Sequence, residues 1–217
     1  MEKNNKQIIC DNDEKNELNQ NNTKSFHNPA IAFISRGDFD KAIAVYDEII
    51  QLDPNSTYAY YNRGIAYMSK GDLEKAIIDY DRAIQLKHNH TNAYYNRGIA
   101  YMHKGDLERA ISDFSVAIKH KFNNVNAYYN RGIAYKNKGD LNKAIADYDM
   151  VIRYKSNHSN AFYNRGIAYA NKGDFNRAIA DFEDALKINP NHANAKANLG
   201  SARRNLKRPK GHGSVAT

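Results

Sequence analysis

Two polar side chains return on a fixed schedule along this 217-residue chain. Asparagine stands at Asn62, Asn96, Asn130 and Asn164, and arginine follows each of them at Arg63, Arg97, Arg131 and Arg165, with a step of 34 residues. A carboxamide carries both donor and acceptor, so one copy per unit makes a ladder able to pair with the backbone of an extended chain or with a neighbouring helix. A guanidinium between helices needs a carboxylate, because leaving it unpaired costs on the order of several kcal/mol. The sequence supplies one at Asp79, Asp113, Asp147 and Asp181. One period before Arg63 the arginine becomes Pro29 and the aspartate becomes Val45, so both charges are lost together. Joint loss argues that the two satisfy each other within or between units rather than face a ligand.

Other chemistry is sparse. His88, His90, His158 and His192 gather near the expected turns, but no cysteine or recurrent carboxylate completes a set of metal ligands, and they read as solvated turn residues. No phosphate loop, nucleophile elbow or zinc helix motif is present, so no catalytic residue, cofactor or metal is assigned and the chain reads as a non-enzyme. Cys10 reads as an incidental thiol. Arg203, Arg204, Lys207, Arg208 and Lys210 form a basic cluster without an acid, which could hold nucleic acid or an anionic membrane surface. The net charge is +8, yet the repeating part mixes Lys with Asp, so no basic stripe runs along it.

The elements that must position these residues follow from the period itself. The stretch Tyr60 to Tyr67 returns nearly unchanged at Tyr94 to Tyr101, Tyr128 to Tyr135 and Phe162 to Tyr169, the signature of a stacked array. Gly37-Asp38, Gly71-Asp72, Gly105-Asp106, Gly139-Asp140 and Gly173-Asp174 set the register and define repeats 23–56, 57–90, 91–124, 125–158 and 159–192. Helical spacing of apolar residues on both sides of each Gly-Asp pair predicts two amphipathic helices and a tight turn. Gly71 suits the left-handed position that ends the first helix, and Asp72 caps the second. Residues 1–22, dense in Asn and Lys, read as a disordered leader, and 207–217 as a basic flexible tail. Pro29 belongs in the first turn of a short first helix, with Asn28 as its cap. Residues 194–206 continue the register with Arg203 in place of a buried Tyr, as a solvating end helix would.

This pattern resembles the tetratricopeptide repeat. With Thr57 as position 1, Tyr60 stands at 4, Gly64 at 8, Tyr67 at 11, Ala76 at 20, Tyr80 at 24 and Ala83 at 27. The resemblance covers residues 23 to about 206. Two departures are the Arg at position 7 and the Pro of position 32, kept only as Pro54 and Pro190. His88, Phe122 and Ser156 replace it, and those turns are expected to be looser. The resemblance implies an all-α, right-handed α-solenoid of antiparallel helix pairs, with positions 2, 5, 6, 9, 12 and 13 lining a concave groove. That places the four asparagines in the groove, over a floor of Tyr61, Tyr95, Tyr129, Tyr163, Ile65, Ile99, Ile133 and Ile167. Position 12 varies as Met68, Met102, Lys136 and Ala170, and position 13 as Ser69, His103, Asn137 and Asn171. A clamp for the acidic C-terminus of a chaperone needs Lys and Asn at positions 5 and 9, where this chain has Tyr and Ile.

The expected function is a protein interaction scaffold that binds an extended peptide of unidentified source along the groove. The alternative is a binder of nucleic acid or membrane driven by the basic tail. No apolar run approaches the roughly 20 residues of a membrane span, and no signal-peptide core is visible, so the expected compartment is the cytoplasm.

Overall fold

The computed structural model describes residues 30–207. Asn28, Pro29, Cys10, the leader and all of the tail after Lys207 lie outside the described residues. Every regular element among the described residues is an α-helix, and two compact units are distinguished, meeting in sequence at Phe122 and Asn123.

The first unit holds α1 (30–36), α2 (Phe39–Leu52), α3 (Thr57–Lys70), α4 (Leu73–Leu86), α5 (Thr91–His103) and α6 (Leu107–His120). The second holds α7 (Val125–Lys138), α8 (Leu141–Tyr154), α9 (Ser159–Asn171), α10 (Phe175–Ile188) and α11 (Ala193–Lys207). Helices consecutive in sequence pack as hairpins, α3 with α4, α5 with α6, α7 with α8 and α9 with α10. Within each unit the hairpins stack, so the fold is an all-α solenoid type built from helix pairs.

The hairpin turn follows from two residues. Gly71 sits at φ +93°, where its N–H closes the last turn of α3 onto the Tyr67 and Met68 carbonyls. Asp72 then accepts from the Lys75 N–H and satisfies an exposed amide at the start of α4. Position 8 sets the spacing between the paired helices. A Cβ on Gly64 would lie 2.8 Å from a ring carbon of Tyr80, and the same 2.8 Å recurs for Gly98 with Phe114, Gly132 with Tyr148 and Gly166 with Phe182. The ring at position 24 therefore packs straight onto the first-helix backbone, an approach that only glycine permits.

Where proline is missing, the residue before its position keeps the same extended backbone. The residues before Pro54 and Pro190 hold φ/ψ of −136°/92° and −131°/91°. Lys87, Lys121 and Lys155, which precede His88, Phe122 and Ser156, hold −140°/92°, −136°/92° and −142°/84°. Proline favours this extended geometry without being needed for it, because the backbone N–H of each residue returns to a carbonyl of the preceding helix. At the C-terminal end α11 buries Ala195, Leu199 and Ala202, the last two in a cluster with Ala178 and Phe182 of α10. Arg203 stays exposed and pairs with Glu183 at 2.7 Å.

Candidate functional site

The recurring polar residues divide into three networks. In the first, each arginine at position 7 is gripped by the aspartate sixteen residues on. Arg63 donates from Nε and Nη2 to the two carboxylate oxygens of Asp79 at 2.8 and 2.6 Å, and Arg97, Arg131 and Arg165 repeat the fork with Asp113, Asp147 and Asp181. A second carboxylate, sixteen residues earlier, takes Nη1: Asp47 for Arg63, Asp81 for Arg97 and Asp149 for Arg165. The guanidinium lies between the rings of positions 4 and 11, with Arg63 5.5 Å from the Tyr60 centroid and 5.9 Å from Tyr67. The hydrogen bond to Asp79 raises the Arg63 pKa further against the pull of desolvation, while burial pushes the Asp79 carboxyl up against the hold of Arg63. At Arg63, Arg97 and Arg165 this network ties first helix, second helix and preceding repeat together and leaves no guanidinium edge for a ligand.

The second network joins positions 5, 6 and 34. Tyr61 packs on Tyr80 and on the ring of His90, 4.7 Å away, and its hydroxyl accepts from Asn96 Nδ2 at 3.0 Å. Tyr129 does the same with Tyr148, His158 and Asn164, and Tyr163 with Phe182, His192 and Asn198. Burial pushes the Tyr129 hydroxyl up to about 12. Each histidine caps the helix that follows: Nδ1 of His90, His158 and His192 accepts from the N–H of Ala93, Ala161 and Ala195. Ser56 and Asn124 do this job with oxygen at the same register position. The expectation of solvated turn histidines is thus overturned for these three, and His90 is only 4% exposed. Their signal was in the sequence, because a position held by Ser in one repeat and Asn in another is an N-cap.

The third feature is the face that remains. Tyr61, Asn62, Ile65, Tyr95, Asn96, Ile99 and Asn164 are buried. In those places the expected groove lining is internal packing, because the stacked repeats enclose it. Tyr129, Asn130, Ile133, Tyr163 and Ile167 are half-buried and keep some surface on α7 and α9, which lie side by side in the second unit. On the same helices Asn126, Lys136 and Ala170 are half-buried, while Asn137, Asn160 and Asn171 are exposed. Lys136 Nζ donates to Asn164 Oδ1 at 2.9 Å, and His192 Nε2 lies 3.2 Å from Asn160 Oδ1. The arrangement offers amide groups, aromatic edges, aliphatic surface and the Lys136 cation. Of the basic cluster, Arg203 is engaged by Glu183 and Arg204 by Ser201.

The combination of a 34-residue hairpin, a left-handed glycine turn and position-specific small and aromatic residues defines a helical repeat scaffold. Tetratricopeptide repeat models match residues 30–87, 79–112, 100–139, 125–158 and 159–192, which run without a gap from 30 to 192. This chain belongs to the tetratricopeptide repeat family. Among solved structures it is similar to MamA, at 30% identity and a TM-score of 0.72 over 76% of this chain and 96% of that one. MamA 41-end from Desulfovibrio magneticus RS-1 is 21% identical with a TM-score of 0.74, covering 80% and 98%. YrrB, described as a TPR protein with an unusual peptide-binding site, is 24% identical with a TM-score of 0.73, covering 83% and 94%, a likeness of fold. No curated protein matches. The family's common role is a scaffold for protein interaction, and no helix among the described residues is long and apolar enough to cross a membrane.

Proposed function

We propose that this protein is an adaptor that holds an extended peptide segment of a partner protein against the α7 and α9 face. One observation carries the reading: the Arg–Asp network closes one side of the hairpins, whereas the first helices of the second unit leave Tyr129, Asn130, Ile133, Tyr163 and Ile167 half-buried, with the carboxamides of Asn137 and Asn171 exposed on the same helices. An extended strand laid there finds apolar surface for its side chains and carboxamides for its backbone. Net gains of about 1 kcal/mol per backbone contact, less the cost of ordering the strand, point to an affinity in the micromolar range.

The test places charge on the face. Ile133→Glu and Ile167→Glu each disrupt the surface, whereas Ile78→Glu alters an exposed position of α4 and serves as control. Partner proteins are captured from lysate and the complexes followed by hydrogen exchange. The expected result is loss of capture with the first two variants only, and protection of α7 and α9 by a bound partner. Capture that survives both Ile substitutions, or protection confined to other helices, refutes the proposal.

A further inference from the structure

We infer that Lys136 anchors a carboxylate of the bound peptide on the α7 and α9 face, an inference that rests on the peptide-scaffold reading. Lys136 is held in a fixed place by a fully ordered amide. Asn164 Nδ2 donates to the Tyr129 hydroxyl at 2.9 Å and to the Asn160 carbonyl at 3.0 Å, so both amide hydrogens are engaged and Oδ1 is turned toward Lys136. An ammonium has three donors and this oxygen uses one. Among the described residues no carboxylate approaches Nζ, and burial holds its pKa below the ordinary lysine value.

Other cations of the repeats make the point sharper. Lys70 lies against Asp40, Lys104 against Glu74, Lys143 against Asp140 and Arg165 against Asp149 and Asp181. Lys136 is a half-buried cation whose one partner is neutral, at a register position that other repeats fill with Met68, Met102 and Ala170. Desolvated positive charge beside a binding surface selects an anion. The arginines of α7 and α9 are already held by Asp147 and Asp181, so the face offers a single charge with carboxamides around it. That suits a monoanionic carboxylate, whereas a phosphate dianion calls for two or more cations. The carboxylate comes from an Asp or Glu side chain or from the C-terminus of the peptide.

The test uses the full chain and four fluorescein-labelled random decapeptide pools, with or without Asp and Glu, and ending in a carboxylate or an amide. Anisotropy at physiological salt is measured for wild type, Lys136→Met, Lys136→Arg and the exposed control Lys138→Met. Methionine is the natural residue of this position in two repeats, and the helical circular dichroism signal verifies folding. The expected result is that Lys136→Met weakens the carboxylate-bearing pools about tenfold, as the loss of one charged hydrogen bond does. Lys136→Arg keeps most of the affinity, Lys138→Met changes it less than about twofold, and the fully neutral pool is unaffected by any of them. Which carboxylate pool suffers identifies the source. Equal binding of all four pools, or an unchanged Lys136→Met, overturns the carboxylate inference while leaving the peptide scaffold standing. Absence of binding by every pool overturns both.

Discussion

Replacing Arg97 by Leu strips one buried carboxylate and one exposed carboxylate of the same partner. Asp113 is 4% exposed and receives a two-point fork from Arg97, so its charge becomes uncompensated in a place where water does not reach. Breaking such a pair costs about 3–5 kcal/mol. The side chain of Asp81 is 42% exposed and returns to solvent, which adds at most about 1 kcal/mol. The ring contacts of Arg97 with Tyr94 and Tyr101 add a further ~0.5–1 kcal/mol each. Adding Asp113→Leu, of the same branching and without charge, removes the stranded carboxylate and recovers most of the loss, a coupling on the order of 3 kcal/mol. The assay is urea unfolding followed by circular dichroism at constant slope, with hydrogen exchange reporting α5 and α6 separately. The single variant carries a pH signature. Burial already raises the Asp113 pKa against the hold of Arg97, and without that hold it rises further. The folded state then binds a proton more readily than the unfolded chain, so the penalty of Arg97→Leu shrinks as pH falls from 7 toward the carboxylate range and is greatest at neutral pH. Additive losses in the double variant, or a penalty independent of pH, would show that the fork is not what holds these helices.

Four further outcomes follow from the same geometry. Burial, followed by the charge of Lys155, lowers the His158 pKa from its ordinary 6.5. The unfolded chain therefore takes up the proton first, and the cap's contribution is complete above about pH 6.5 and lost as pH falls through the lower folded value. His158→Asn, which copies the cap of Asn124 but gives up the ring contact with Tyr129, falls below wild type in urea midpoint at pH 8, and the gap narrows at pH 5; an unchanged gap refutes the cap. Gly98→Ala drives a methyl to 2.8 Å from the buried Phe114 ring and costs about 1–3 kcal/mol in thermal unfolding, eased by Phe114→Leu. Gly139→Ala meets open space but a φ of +90° and costs about 1 kcal/mol that no partner change relieves. Tyr129→Phe leaves the Asn164 amide short of an acceptor, costing about 1–3 kcal/mol.

The period, the hairpins, the Gly-Asp turns and the forked Arg–Asp pair were all legible in the sequence, because each follows from residues within one 34-residue unit. The second carboxylate on each arginine was legible too, since Asp47, Asp81 and Asp149 share a register position, but its role appears only once one repeat is laid on the next. The tyrosines at position 5 were harder. Nothing local separates a tyrosine lining a groove from one whose hydroxyl crosses to the next repeat's asparagine 35 residues on; that depends on the stacking distance, a tertiary quantity. The same gap explains why Asn62 and Asn96, expected in a groove, are wholly buried.

That outcome bears on where specificity resides in an array of near-identical units. Side chains that recur without change serve contacts that themselves recur, between helices of a pair and between one repeat and the next, and those contacts remove them from solvent. A ligand is not periodic in chemistry, so the surface that discriminates it must be sought where the repeats depart from one another. Position 12 does so, and at Lys136 the departure meets the recurring frame: an asparagine whose two hydrogens hold the scaffold turns its remaining oxygen to a cation that no other repeat possesses. The frame there fixes the direction of a charge, and the single substitution determines what that charge attracts.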